Sequence, residues 1–222
     1  MTLPPSRNLT GLSWIVDVHV LDHPDAADLR RMGVLGWVHL QTADTTMTEV
    51  GAAKDPATVE RVRGALEQFP VLMGPMVLGH SVLGYSVLGS QGDSDRIRLA
   101  YSTLWPNNSY ADDGSMTTAM GRTRFRDALH VATGVRYALQ GFVTNDGPVL
   151  NRAHDVAVTF DGFALLSVEQ ATIRARTEIG HVRRRSATIG RPDPTDLPVG
   201  PKASSPCAEL ALPSYEAGRP DR

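Results

Sequence analysis

Apolar positions along the chain fall into two alternating kinds of block. Short β-rich runs form one kind: "SWIVDVHVL" (13–21) and "GWVHLQT" (36–42) have the length and the side chains of buried strands. Segments with helical spacing form the other. In "HPDAADLRRMG" (23–33), Pro24 or Asp25 can open a short helix and Gly33 can close it. In "TADTTMTEVGAA" (42–53), Thr42 or Asp44 can cap a helix with Glu49 a turn or two inside it. "DPATVERVRGALEQF" (55–69) is amphipathic, with Pro56 in its first turn and Val59, Val62, Leu66 and Phe69 on one face.

The second half repeats the alternation. "MVLGHSVLGYSVLGSQG" (76–92) holds a tandem pentapeptide, His80–Gly84 and Tyr85–Gly89, and reads as a helix of poor propensity. A helix follows in "DSDRIRLAYSTLW" (93–105), then a polar loop in "PNNSYADDGSMTTAMGR" (106–122), where Asp112 and Asp113 lie. In "FRDALHVATGVRYALQGFVTNDGPVL" (125–150), an apolar stripe of Ala128, Val131, Ala132, Val135, Ala138 and Leu139 predicts a helix over 127–140, ended by Gly141. "FVT" is then a strand with "NDG" at its carboxyl end, "VAVTF" (156–160) is another, and residues 167–185 form a helix with a basic end. From Ser186 to Arg222 the chain is rich in proline, small and polar residues, which predicts a disordered tail. Strands alternating with helices indicate an α/β domain with a mostly parallel sheet. The organisation expected is an N-terminal tail (1–12), a domain (13–185) with an insertion around 78–122, and the tail (186–222).

Composition narrows the class. With 222 residues, of which 41% are hydrophobic and 21% charged, the chain can bury a sizeable core without disulfides or a structural metal. The net charge of −2 gives no bulk signature of a nucleic-acid binder, so any such surface must come from local basic clusters. Arg122, Arg124 and Arg126 form one cluster and Arg183, Arg184 and Arg185 another; each also reads as an ordinary solvated surface. The single cysteine, Cys207, has no partner within the chain, which suits a reducing cytoplasm. No run approaches the ~20 apolar residues of a membrane span, and the N-terminus has no signal-peptide pattern. The expectation is a cytoplasmic protein with no membrane partner.

Acidic residues carry the chemistry. A crossover helix runs antiparallel to the strands, so its amino end lies above their carboxyl edge. Helix 127–140 rises about 20 Å at ~1.5 Å per residue, and the following strand returns a similar distance. Asp127, in the first turns where the helix dipole favours a carboxylate, is therefore expected near Asp146. Asp17 belongs near the end of the first strand and Glu49 early in the helix after the second. Each acid alone has a plain reading: Asp127 as a helix-start residue, Asp146 as turn chemistry, Glu49 as a solvated helix face. Asp17 is harder to dismiss, since an unpaired carboxylate in an apolar strand is costly. Together the four converge on the edge where open α/β sheets bind ligands, and a divalent cation relieves their repulsion. Mg²⁺ and Mn²⁺ prefer such oxygen ligands. His19, His39, His80 and His130 carry weaker cases, His130 reading best as a packed core residue. No His/Cys spacing suggests zinc, and there is no P-loop or dinucleotide fingerprint.

The segments "IVDVHVL", "TMTEV", "RDALHVAT" and "FVTNDGPVL" resemble, in order and spacing, the four acidic motifs of PIN-domain ribonucleases, including VapC-type toxins. The resemblance spans about residues 13–170 and is strongest in "DALHVATGVRYALQGFVTND". It implies a three-layer α/β/α fold with a mostly parallel central sheet. It further implies a metal-dependent endoribonuclease in which Asp17, Glu49, Asp127 and Asp146 are catalytic and hold Mg²⁺ or Mn²⁺. Thr144 and Asn145 would shape the acidic pocket. Val18 and His19 stand where the family has a small residue and then Asn or Ser, so His19 is expected to replace that polar partner or to meet a substrate phosphate. Arg122, Arg124 and Arg126 would position RNA phosphates. A toxin-like member would also have an antitoxin partner and form a homodimer. The alternative is a catalytically silent PIN-like RNA-binding or scaffold protein. A DNA-directed nuclease with the same site remains open at this point.

Overall fold

The computed structural model describes residues 8–52, 55–78, 80–81, 86–114 and 118–189. Its centre is a strand that stops early. The run 13–21 divides at Asp17: β1 covers Ser13–Val16, and Asp17 caps a short helix α1, Val18–Asp22, by accepting from the His19 backbone N–H. A 3-10 turn, Pro24–Ala26, leads into α2, Ala27–Val34, and then β2, His39–Ala43. Next come α3 (Asp44–Ala52), α4 (Pro56–Leu66) and the two-residue β3 (Val71–Leu72). The second half supplies α5 (Gln91–Leu104), α6 (Tyr110–Gly114), α7 (Ala119–Arg136), β4 (Gly141–Val143), α8 (Gly147–Leu150), α9 (Ala153–Thr159), β5 (Ala164–Leu166) and α10 (Val168–Thr188).

All five strands pair in parallel in the order β3-β2-β1-β4-β5. Successive side chains of a strand point to opposite faces, and the two cores follow that rule. Trp14, Val16, Leu40 and Val143 pack with Val20, Leu29, Val62, Leu66, Ala171 and Ala175, so α1, α2, α4 and α10 cover one face. Ile15, Phe142 and Leu165 pack with Ile97, Tyr101, Leu129, Ala132 and Val156, so α5, α7 and α9 cover the other. The result is the expected three-layer α/β/α arrangement. Burying a side chain the size of Phe142 contributes roughly 2–3 kcal/mol. No helix among the described residues is long and apolar enough to cross a membrane.

Several elements depart from the sequence expectation. The helix placed at 127–140 spans 119–136, opened by Thr118, whose hydroxyl accepts from the Gly121 N–H. Just past its Tyr137 C-cap, Ala138 takes a left-handed φ of 52° while its N–H and that of Leu139 reach back to Val135 and Gly134. Gly141 instead starts β4, where a Cβ would come within 2.3 Å of the Ala164 carbonyl oxygen. "VAVTF" is not a strand: Val156 is buried and Val158 exposed, which breaks the two-residue period, and the segment belongs to α9. The run 76–92 is not a single helix. Its described residues form turns and a parallel bridge between Pro75 and Val87, and a helix starts only at Gln91. The loop expected at 106–122 contains α6 and the first turn of α7. At the far end α10 runs to Thr188; the tail from 190, Cys207 included, lies outside the described residues.

Candidate metal centre

β1 leads through β2 to β3 on one side of the sheet, and β4 and β5 lie on the other. The carboxyl ends of β1 and β4 thus flank the switch in strand order, where α/β sheets form their ligand crevices. Asp17 follows β1 directly, and its N–H donates to the Val143 carbonyl of β4 at 3.0 Å. Its side chain is buried; Oδ2 accepts the Thr144 hydroxyl at 2.8 Å, and Oδ1 accepts the His19 N–H at 3.4 Å. Thr144, fully buried, also accepts the Asp146 N–H at 3.1 Å. One hydroxyl therefore ties the acid after β1 to the loop after β4.

Glu49 lies on α3 and points at α7. Its Oε2 stands 3.9 Å from Nε2 of His130, too far for a hydrogen bond, and has no hydrogen-bond partner among the described residues. His130 is buried, stacked on Phe142 with ring centroids 5.3 Å apart; its Nε2 lies 3.5 Å from the Thr45 hydroxyl, and its Nδ1 has no partner among the described residues. Asp17, Glu49 and His130 each present a ligand atom within 4.8 Å of the others.

Asp127 is the least reconciled of the group. It lies mid-helix, eight residues beyond Ala119, so the dipole stabilisation expected at a helix start does not reach it. The carboxylate is 7% exposed, and Oδ2 has no hydrogen-bond partner among the described residues. Burial, then the charge of Asp17, with Asp146 and Glu49 adding to it against the opposing pull of His130, raises its pKa well above the ordinary carboxylate range. Burial and Glu49 likewise raise Asp17. Glu49 moves the other way: burial opposes its charge, but His130, Arg126 and His19 outweigh that and lower its pKa. Burial opposes a charge on His130 too, yet Glu49, Asp17 and Asp127 together raise its pKa. Asp146 caps α8 through the Val149 N–H at 3.4 Å.

The expected phosphate-binding residues divide. Arg124 is held by Asp113, with its Nε at 2.6 Å and an NH2 contact at 2.8 Å, and Asp113 also accepts the Tyr101 hydroxyl. Asp113 is thereby saturated and Arg124 committed. Arg126 is half-buried with an unpartnered Nε and is among the charges that lower the Glu49 pKa. Arg122 stands one helical turn away, and both act on the pKa of His80, which burial and then Arg126 and Arg122 bring down to about 4. Asn145 is exposed, and its side-chain oxygen accepts the Val168 N–H at the head of α10. His19 is exposed on α1. Arg183 lies over the Trp37 ring at 5.3 Å, on the opposite helical layer.

Sequence reasoning reads His130 as a packed core residue, and the structure buries it while also bringing its ring within reach of Asp17 and Glu49. Its spacing of three from Asp127 fits a core helix face as well as a site, and no local motif separates the two readings. Asp44 is a further buried acid near this edge, but it is furnished with partners: it accepts the Thr45 N–H at 3.0 Å and the Ser86 hydroxyl. No family model, curated protein or solved structure matches the chain.

Proposed function

We propose that the chain is a metal-dependent endoribonuclease that hydrolyses RNA phosphodiester bonds at the crevice between β1 and β4. The reading rests on Asp127, a buried carboxylate with an unpartnered oxygen beside three other acids. A buried anion in that position needs a countercharge, and a divalent cation is the one its neighbours can share. The residues fit such an ion: Asp17, Glu49 and His130 offer clustered ligand atoms, and Asp127 adds an unused oxygen. When bound, a Mg²⁺ or Mn²⁺ ion acts as a Lewis acid that lowers the pKa of water and offsets charge on the phosphate.

The chain's own residues do the rest. Thr144 fixes the Asp17 carboxylate by donating to Oδ2, and through the Asp146 N–H it holds the loop after β4. Arg122 and Arg126, on one face of α7, supply the positive field for an RNA backbone, while His19 and Asn145 stand at the exposed rim. Arg124 drops out of the phosphate set because Asp113 occupies its guanidinium. The cleavage left by this chemistry is a 5′-phosphate and a 3′-hydroxyl, and the same proposal includes a cytoplasmic, toxin-like role with an antitoxin and a homodimer.

Purified protein should cut single-stranded RNA with Mn²⁺ or Mg²⁺ and spare the matching DNA, and Asp17→Asn and Asp127→Asn should abolish the cut. Cleavage that survives both substitutions ends the proposal. Tight metal binding without cleavage of any RNA leaves the silent, RNA-binding scaffold in its place.

A further inference from the structure

Among the described residues, His130 is the buried side chain at the crevice that carries a nitrogen toward the acids; His80, also buried and stacked on Phe125, likewise has no partner on either nitrogen but stands beside Arg122 and Arg126 instead. The His130 ring is 1% exposed, its Nδ1 has no partner, and its Nε2 faces Glu49 at 3.9 Å. Structural histidines in a core normally have their nitrogens hydrogen-bonded. Nothing holds Nδ1, and the nearest contact of Nε2 is the Thr45 hydroxyl at 3.5 Å, the outer limit for a hydrogen bond. The stack on Phe142 fixes the plane of the ring but uses neither nitrogen.

The 3.9 Å between His130 Nε2 and Glu49 Oε2 is within reach of an ion pair and equally suits two ligands of one ion. Asp17, Glu49 and His130 present atoms mutually within 4.8 Å. Two ligands of one ion at ~2.1 Å stand at most ~4.2 Å apart, so small side-chain rotations close the set. The unpartnered Oδ2 of buried Asp127 is a second, separate feature of the same crevice that calls for a cation.

We propose that His130 is a metal ligand, so that the centre is a mixed imidazole–carboxylate site selecting Mn²⁺ over Mg²⁺. The proposal rests on the metal-site reading above and sharpens it from four carboxylates to a set with one nitrogen donor. Mg²⁺ favours oxygen donors with near-ideal octahedral geometry and gives up its water reluctantly. Imidazole is a transition-metal ligand, and Mn²⁺, although the weakest binder of the first-row series, is a member of that series where Mg²⁺ is not. The preference is therefore chemical, set by one residue, and separable from the presence of the site.

The test is pulsed electron paramagnetic resonance of Mn²⁺ bound to the full-length protein, with and without ¹⁵N-labelled histidine, beside competition titration with Mg²⁺. Directly bound imidazole imposes a nitrogen modulation on the Mn²⁺ echo that changes on labelling. The modulation should be present in the wild type and in His19→Ala, and absent in His130→Gln. Loss of the ligand should weaken Mn²⁺ at least about tenfold and shrink the Mn²⁺/Mg²⁺ preference. Mn²⁺ that binds with no histidine modulation overturns the role of His130 and leaves the carboxylate site standing. Modulation that persists in His130→Gln overturns it equally. Failure of Mn²⁺ to bind the wild type at all removes the metal centre and this proposal together. The wild-type and His19→Ala spectra decide the matter even where His130→Gln folds poorly, because His130 and His19 are the histidines among the described residues whose charges act on both Asp17 and Glu49.

Discussion

Two buried acids one helix apart show how differently a fold can treat a negative charge. Asp113 and Asp127 are equally buried, at 7% exposure each. Asp113 receives a two-point contact from Arg124 and the Tyr101 hydroxyl, and Arg124 first among these holds its pKa below the ordinary value. Asp127 receives no partner on Oδ2 and faces Asp17, Asp146 and Glu49, so its pKa rises. A carboxylate that serves the fold is provided with its countercharge by the chain. A carboxylate left without one, among others of its kind, costs stability while ionised, a cost that a proton or a bound cation removes. That difference, rather than acidity as such, is what the proposed cation site rests on.

The largest effect that would break the comparison is catalytic. Asp127→Asn should reduce RNA cleavage by well over the 10–100-fold that residues behind a ligand command. Asp113→Asn should leave cleavage per folded molecule unchanged. Equal losses in both would mean that Asp127 is another structural acid.

Stability should separate the two regions next. Asp113→Ala leaves Arg124 charged, half-buried and unpaired, and should cost about 3 kcal/mol in denaturant unfolding. The pH dependence carries opposite signs. Asp113 has a depressed folded pKa, so its contribution is present above the unfolded pKa and is lost as pH falls through the folded one. Asp127 has a raised folded pKa, so stability is full below its unfolded value and is lost as pH rises through the folded one. In chelator, Asp127→Asn should therefore gain on the wild type as pH rises above the unfolded carboxylate value of about 4. A parallel pair of pH profiles for the wild type and this variant would contradict the account. Since His130 is raised as well, part of the decline should remain in the variant.

How much of this the sequence shows depends on the element. The strand order needs the fold, but β1, β2, α4, α5 and α10 stand close to where apolar spacing puts them, because each buries one continuous stripe. α7 was displaced at its start: its first turns are arginine-rich and carry little apolar signal, so the Thr118 cap was the one clue. β3 and β5 are two and three residues long and leave almost no pattern. The place of Asp17, buried directly after β1, was legible because a charge at the end of an apolar strand has few other placements. The fates of Arg124 and His130 were not legible. Both depend on what a distant segment brings, α6 in one case and α3 in the other, and no local spacing reports that.

Added metal should sharpen the comparison by a smaller amount. At 100 times its dissociation constant a ligand of the folded state stabilises by about 2.7 kcal/mol. Mn²⁺ should raise wild-type stability on that scale, fail to do so in Asp17→Asn, and still act on the Asp113 variant. The smallest effect belongs to the arginines. Arg126→Gln should weaken RNA binding several-fold and lower its salt dependence by about one phosphate contact. Arg183→Gln, whose guanidinium lies over Trp37 in the other layer, should change neither.

The central claim is that the unpaired carboxylates of the crevice form a cation site, and an anomalous difference map from crystals grown with Mn²⁺ tests it at the level of atoms. The account predicts a peak between Asp17, Glu49 and His130, within bonding reach of Asp127 or of a water that it holds. An occupied Mn²⁺ elsewhere on the molecule, with these side chains closed on one another by hydrogen bonds and no density among them, would contradict it.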